Sequence, residues 1–439
     1  MKRKVITRAK IKSVLSYSAI ALVTFLSIQI LFNEDMTFIP KFYSIFTKSK
    51  VKPEFNAHNE YFEYLQKHVA RSFNTYSSKC INSDGINIVN YECIDSYGFS
   101  ASLLESLEVL YLLNLKEEYN RAHLFLKTQF RCSKLGWVNQ RELWTRGVGS
   151  LIGAYTLTGD KLFLTRADEC IEELSKFESS KQPFVNIKTG EKRHRKLSNY
   201  TYLMDSSAGI PELASLYSTT KDEKYLRMIK RKISRIPNLE QGILNDYNPT
   251  TSKPVQIDDT ITYKNLPYLF DMVISNIILP IRQIKGHLPK LEDIYRYNAE
   301  DINMAPLLEI EALLKANISN SHILENLTMT AYDPPFEILT YGSPNDMRPY
   351  TFESSGLRLM LKKGMNQKII AAIPGIINNC WNGNGVSSVG RTSHNGPHLF
   401  ETQHPSFFGE FALAGTMAAI KSPNFSKAIF NWRGHILRL

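Results

Sequence analysis

Two polar stretches carry residue types that do chemistry. In Asp346-Met347-Arg348-Pro349-Tyr350-Thr351-Phe352-Glu353-Ser354-Ser355, an Arg and a Glu stand at the mouth of an apolar helix-like run (Leu357, Leu359, Met360, Leu361). Backbone N–H groups at a helix N-terminus and these side chains would converge on a polar ligand, forming a site wall. The same residues also suit an ordinary N-cap with a charged first turn. In Arg141-Glu142-Leu143-Trp144-Thr145-Arg146-Gly147-Val148-Gly149-Ser150, Glu142 lies one turn ahead of a Gly-spaced helix start. Partial burial raises a carboxyl pKa and suits it to general-acid catalysis; its plainer role is to complement the helix dipole.

These residues need a scaffold, and the apolar spacing says which. Leu103, Leu107, Leu110 and Leu113 recur at helical steps, as do Val148, Leu151, Ile152 and Tyr155. After a Gly159-Asp160 turn the same holds for Phe163, Ala167, Cys170, Leu174 and Phe177. Each run reads as an amphipathic helix with one buried face. Further helices are expected at 201–218, 222–235, 265–281, 303–316, 351–362 and 405–420. No strand–helix alternation and no fixed internal period is visible. The fold class is therefore all-α in one domain over residues 54–439, with paired helical hairpins closing into a toroid or extending as a solenoid.

At 439 residues, with 43% apolar and 22% charged side chains, the chain can build one large core. Its formal net charge of +11 is spread over the surface and over a basic N-terminus, and no nucleic-acid motif accompanies it. Residues 13–32 are uncharged and mostly aliphatic or aromatic, and as a helix they would cover about 30 Å, the thickness of a bilayer core. Cations precede this run and Glu34 and Asp35 follow it. The asymmetry predicts a cytosolic tail (1–12), a transmembrane signal anchor (13–32) and a lumenal stem (33–53), hence a single-pass type II protein. Sequons at Asn199, Asn317, Asn326 and Asn424 suit a lumenal domain. So do five cysteines (Cys80, Cys93, Cys132, Cys170, Cys380), which allow two disulfides and one free thiol.

Five segments, in order, resemble glycoside hydrolase family 47, the class I α-1,2-mannosidases. Gly98 to Tyr119 is similar to the family's first helix, and Glu142 to Asp160 to the segment around its catalytic acid. Arg348-Pro349-Tyr350-Thr351-Phe352-Glu353-Ser354 resembles its Arg-Pro-Glu-Thr-x-Glu-Ser motif. His404-Pro405-Ser406-Phe407-Phe408 resembles its Ser-Phe-Phe helix, and Phe430-Asn431-Trp432-Arg433-Gly434-His435 its terminal Phe-Asn-Thr-Glu-x-His. The resemblance implies an (α/α)7 barrel in the endoplasmic reticulum or Golgi, a calcium at the pocket base, and inverting hydrolysis of terminal α-1,2-mannose on mannose-rich N-glycans of glycoproteins. That reaction uses one carboxyl to protonate the leaving oxygen and one carboxylate to activate water on the opposite ring face.

Carried onto this chain, the resemblance makes Glu142 the acid and Arg348, Glu212, Tyr350, Phe407 and Glu410 substrate-binding. Glu353 and Asp259 (or Asp258) are the carboxylates left to activate water, because Tyr350 stands where the family has its base. A phenol of pKa near 10 is a poor base at neutral pH. In the Ser-Phe-Phe helix the family's Glu aligns with Phe411, and Glu410 is one residue short. Calcium is expected from the family, yet its Thr ligand is Trp432 here, whose indole offers no acceptor. Impaired hydrolysis is expected, or a lectin-like pseudoenzyme that holds mannose-rich glycans or misfolded glycoproteins.

Overall fold

Helices form where the apolar spacing places them. A computed structural model describes residues 54–55, 59–177, 182–193, 201–234, 246–247, 357, 361, 364, 366–393, 396–431 and 433–439. Its helices in chain order are α1 (Asn59–Cys80), α2 (Ala101–Leu112), α3 (Lys116–Thr128), α4 (Gly149–Thr158) and α5 (Lys161–Ser175). There follow α6 (Leu203–Ser207), α7 (Ile210–Thr220), α8 (Glu223–Ile233), α9 (Asn366–Cys380) and α10 (Leu413–Ala419). Neighbours pack as pairs: α2 with α3, α4 with α5, α7 with α8, and α9 with α10. Strands are short, and no sheet among the described residues exceeds three.

Within the pairs, the two helices differ. Helix α2 is buried from Ala101 through Leu110, and α4 is buried at every position but Tyr155. Helix α3 buries only Glu118, Ala122, Phe125 and Leu126, and α8 only Tyr225, Met228, Ile229 and Lys232. A helix apolar all round belongs inside, and one with a single stripe covers it. The expectation of one buried face per helix thus holds for the outer members, including Phe163, Ala167, Cys170 and Leu174 of α5. It is corrected for α2 and α4: Leu103, Leu107 and Leu110 mark only one side of a helix that is enclosed on all sides.

Local chemistry sets the joints. Gly159, at φ +71°, ends α4, and the Asp160 carboxylate accepts the Leu162 N–H at 2.9 Å to begin α5. Ahead of α2, one buried carboxylate organises a whole loop. Asp84 Oδ2 accepts N–H groups of Tyr97 and Gly98 at 2.6 Å each, and Oδ1 accepts those of Phe99 and Ala101 at 3.1 and 3.0 Å. These bonds supply partners for donors that a helix start leaves unpaired. Disulfides join Cys80 to Cys93 and Cys132 to Cys170, with Cα separations of 5.2 and 5.0 Å, and Cys380 is buried and free. Two pairs and one free thiol were expected; which cysteines pair was not readable from spacing.

The helices expected at 265–281 and 303–316, and the stretch Asp346–Ser355, lie outside the described residues. So do the tail, the candidate span 13–32 and the stem up to residue 53. No helix among the described residues is long and apolar enough to cross a membrane.

Candidate functional site

Between the inner helices the core is charged. The three-residue helix Gln140–Glu142 runs into a π-helical turn, Leu143–Val148, and then into α4. Such wide turns are rare and re-aim side chains. This one carries Arg146, which has no solvent exposure. Its guanidinium donates to Glu142 Oε2 at 2.8 Å, to Glu410 Oε1 at 3.0 Å, and to Glu105 of α2. A second π-helical turn, Phe407–Ala412, presents Glu410. Ser406 Oγ donates to the same Glu410 oxygen at 2.8 Å.

Arg433 closes the arrangement from the C-terminal turn. Its Nη2 donates to Glu142 Oε2 at 2.8 Å and Oε1 at 3.1 Å, and its Nη1 to Glu410 at 3.4 Å. Glu142, Arg146, Glu410 and Arg433 therefore form a ring in which each charge touches two of opposite sign. Arg141 adds a third guanidinium on Glu142, at 2.8 and 3.0 Å. Burial pushes the Glu142 carboxyl up, but Arg433, Arg141 and Arg146 together hold it well below the usual carboxylate range. The raised pKa that suits a proton donor is thus reversed: the partners of Glu142 are cations, not apolar walls.

The adjoining side of the cluster is different. Asn431 Nδ2 donates to Glu212 Oε1 and to the Thr145 carbonyl, each at 2.7 Å. The Asn431 Oδ1 accepts the Arg433 and His435 N–H groups at 3.0 Å each. His435 Nδ1 pairs with Glu108 Oε2 at 2.5 Å, and the Ile436 N–H donates to Glu108 Oε1 at 2.8 Å. Burial opposes the charged imidazole, yet the Glu108 carboxylate wins and raises its pKa. Among the described residues no such cation stands at hydrogen-bond distance from Glu212. Burial lifts its carboxyl to about 7 in spite of the Asn431 bond. Gly149 and Gly153 of α4 make room here: a Cβ would collide with Asn431 at one and with Glu108 at the other.

The buried polar atoms here without a hydrogen-bond partner among the described residues include Glu212 Oε2, His435 Nε2, Glu105 Oε2 and Arg146 Nη2. His435 lies within electrostatic reach of Glu105 and Arg146, and Glu212 within reach of His435. Unpartnered donors and acceptors in one buried cluster call for a polar partner that the described residues do not supply.

Of the residues expected from sequence, Glu142, Glu212 and Glu410 come together here. Glu410 reaches the cluster although it stands one residue short of the aligned position; Phe411 joins the apolar core. Phe407 also belongs to that core, its ring centroid 5.2 Å from that of Phe408. Glu353, Asp258, Asp259, Arg348, Tyr350 and Trp432 lie outside the described residues. Sequence reasoning passed over Glu105, Glu108, Arg146, Asn431, Arg433 and His435. The signal was present for the first two: acids three apart in an otherwise apolar helix.

Calcium, which the resemblance implies, needs several hard oxygens free to converge on it. The described residues do not fit it. Both oxygens of Glu142 and one of Glu410 accept from guanidiniums, and no three His, Cys, Asp or Glu side chains among the described residues are grouped to hold a metal.

Comparison with solved structures gives an alpha-1,2-mannosidase from Trichoderma reesei, with a TM-score of 0.64 at 12% identity, covering 88% of this chain and 100% of that one. At that identity the likeness speaks for the fold alone: this is a mostly helical protein with the fold of an α-1,2-mannosidase. A family model for glycosyl hydrolase family 47 matches residues 68–267. A mannosyl-oligosaccharide 1,2-alpha-mannosidase of Arabidopsis thaliana is 24% identical over 43% of this chain. The endoplasmic reticulum mannosyl-oligosaccharide 1,2-alpha-mannosidase of Homo sapiens is 26% identical over 36% of it. The matched stretches span 36% and 23% of those two relatives. Over residues 68–267 the chain is thus similar to glycosyl hydrolase family 47.

Proposed function

We propose that this chain is a lumenal, membrane-anchored family 47 protein of the endoplasmic reticulum or Golgi that holds mannose-rich N-glycans in an (α/α)7 barrel and hydrolyses them poorly or not at all. One observation carries this: Glu142, the residue aligned with the family's acid, is clamped by three guanidiniums and has no proton to give at neutral pH. Loss of a general acid alone costs about 10²–10⁴ in rate. Tyr350 in place of the family's base removes a second contribution. Glu353 and Asp259 remain the carboxylates proposed to face water, and Arg348 the residue proposed to anchor the sugar. The unpartnered atoms of Glu212, His435, Glu105 and Arg146 are the groups proposed to pair with glycan hydroxyls.

A second reading has its own support. Glu212, with a carboxyl near 7 and a free Oε2, is placed in the range of a working acid, so an enzyme that has moved proton donation there stays in play. The test uses the full-length chain in detergent with an α-1,2-linked mannose oligosaccharide. Glycan retention that Arg348→Ala abolishes, without mannose release, is the expected result. Mannose release abolished by Glu212→Gln and not by Glu142→Gln would establish the second reading; release abolished by Glu142→Gln would overturn the first.

The lumenal placement rests on residues 13–32, on two disulfides and on sequons, of which Asn424 is described and exposed. Endoglycosidase treatment of the expressed chain should lower its mass, and Asn424→Gln should remove one glycan unit. A chain with no glycan and with its body open to protease in intact microsomes would refute this placement.

A further inference from the structure

A calcium ion and a guanidinium can serve the same end, which is to put positive charge against carboxylates in a place without water. The family resemblance puts the calcium at the terminal motif, and in this chain that motif carries Arg433. Its position is built rather than incidental. Asn431, Arg433 and Gly434 lie between the short strands Ile429–Phe430 and Ile436–Arg438, with Gly434 at φ +89°. Asn431 Oδ1 holds the Arg433 N–H at 3.0 Å, and the Gly434 N–H returns to the Asn431 carbonyl at 3.1 Å. The turn therefore fixes the backbone from which the guanidinium reaches both Glu142 and Glu410.

The oxygens there are already used. Glu142 Oε1 accepts from Arg141 and Arg433, and Oε2 from Arg146 and Arg433; Glu410 Oε1 accepts from Arg146, Arg433 and Ser406. A dication at these carboxylates would have to displace guanidinium donors against like charge. A guanidinium is suited to such buried, forked pairing because it stays charged and its donors match a carboxylate.

We propose that Arg433 is a built-in replacement for the calcium the family resemblance implies, so that the pocket floor assembles and stays folded without a metal. This holds whether the pocket hydrolyses a glycan or only retains one, and its test reads no sugar.

The full-length chain in detergent is unfolded thermally in calcium chloride and in EGTA, and calcium retention is measured by equilibrium dialysis with radioactive calcium. The two midpoints should coincide within about 1 °C, and no calcium should be retained, since a site filled far above its Kd would raise the midpoint by several degrees. Arg433→Glu and Arg433→Met should both melt earlier in EGTA and regain part of the loss in calcium, whereas Arg433→Lys should stay indifferent to calcium. Should Arg433→Glu fold only in calcium, the proposal stands. One calcium retained per wild-type chain with a raised midpoint overturns it, and so does failure of both the Glu and Met variants to respond to calcium.

Discussion

The two sides of the buried polar cluster meet the same physical problem in opposite ways. Around Arg146 and Arg433 the carboxylates face guanidiniums, and the ring through Glu142 and Glu410 is closed. Around Asn431 and His435, Glu212 is buried against the Asn431 amide, and Glu212 Oε2 and His435 Nε2 meet no hydrogen-bond partner among the described residues. A closed set of charges has its desolvation offset within the protein, while an open set awaits a ligand or a proton. The ring through Glu142 and Glu410 thus belongs to the fold, and binding chemistry should be sought at the unpartnered atoms beside it, Glu105 Oε2 and Arg146 Nη2 as well as Glu212 Oε2 and His435 Nε2.

The strongest way to break that contrast is to remove the hub of the closed side. Arg146→Met leaves Glu105, Glu142 and Glu410 short of a cation, all in a dry core. It should cost about 3–5 kcal/mol of stability, measured by equilibrium urea unfolding. A cost below about 1 kcal/mol would mean that the ring is ornamental and the contrast is false.

Much of the scaffold was legible in the sequence, because a helix needs only local apolar spacing. The runs at Leu103, Val148 and Phe163 all became helices, and Gly159-Asp160 became the joint between α4 and α5. The layering was less visible, since a stripe of leucines looks the same on a helix buried all round. The site was legible only where the family motifs named it. Glu142, Glu212 and Glu410, which those motifs named, lie together in the buried cluster, but their charge states were not legible. Those depend on Arg433, which lies 291 residues from Glu142 and is brought there by tertiary packing alone. The one-residue offset of Glu410 was equally opaque, because the π-helical turn that carries it has no signature in residue type.

The next largest effect is in the pH dependence, where the two sides should slope oppositely. Glu142 has a folded pKa below its unfolded one. Its stabilisation is present above the unfolded value and is lost as pH falls through the folded value. Glu212 is raised from 4.5 to about 7, so the folded state binds its proton more tightly. Stability from this group is present below about pH 4.5 and is lost as pH rises to about 7, by about 3 kcal/mol in all. Glu142→Gln should therefore flatten the acid side of a stability–pH curve, and Glu212→Gln the side between about pH 5 and 7. If Glu212→Gln leaves that stretch unchanged, Glu212 is paired in solution and the open side is not open.

Asp84 offers a third kind of buried carboxylate, closed by four backbone N–H groups and no cation. Asp84→Ala would orphan those donors ahead of α2, at a cost of about 1–3 kcal/mol by the same urea measurement. The effect should be insensitive to calcium and to Arg433, which separates a support of the fold from the charges it positions.

The smallest expected effect tests whether the ring acts as a ring. Glu410 uses one oxygen for Arg146, Arg433 and Ser406, so a Gln in its place keeps an acceptor where all three donors converge. Only the charge is removed. Arg146 still holds Glu105 and Glu142, and Arg433 still holds Glu142, so each guanidinium retains a carboxylate. Glu410→Gln should then cost about 1 kcal/mol, well below Arg146→Met, because an opened ring still leaves a chain of matched charges. Combined with Arg433→Met, the cost should fall short of the sum, since the second change removes a cation that the first had already left with one partner fewer. A strictly additive pair would show that Glu410 and Arg433 do not share a charge network, and the closed side would reduce to Arg146 and its own carboxylates.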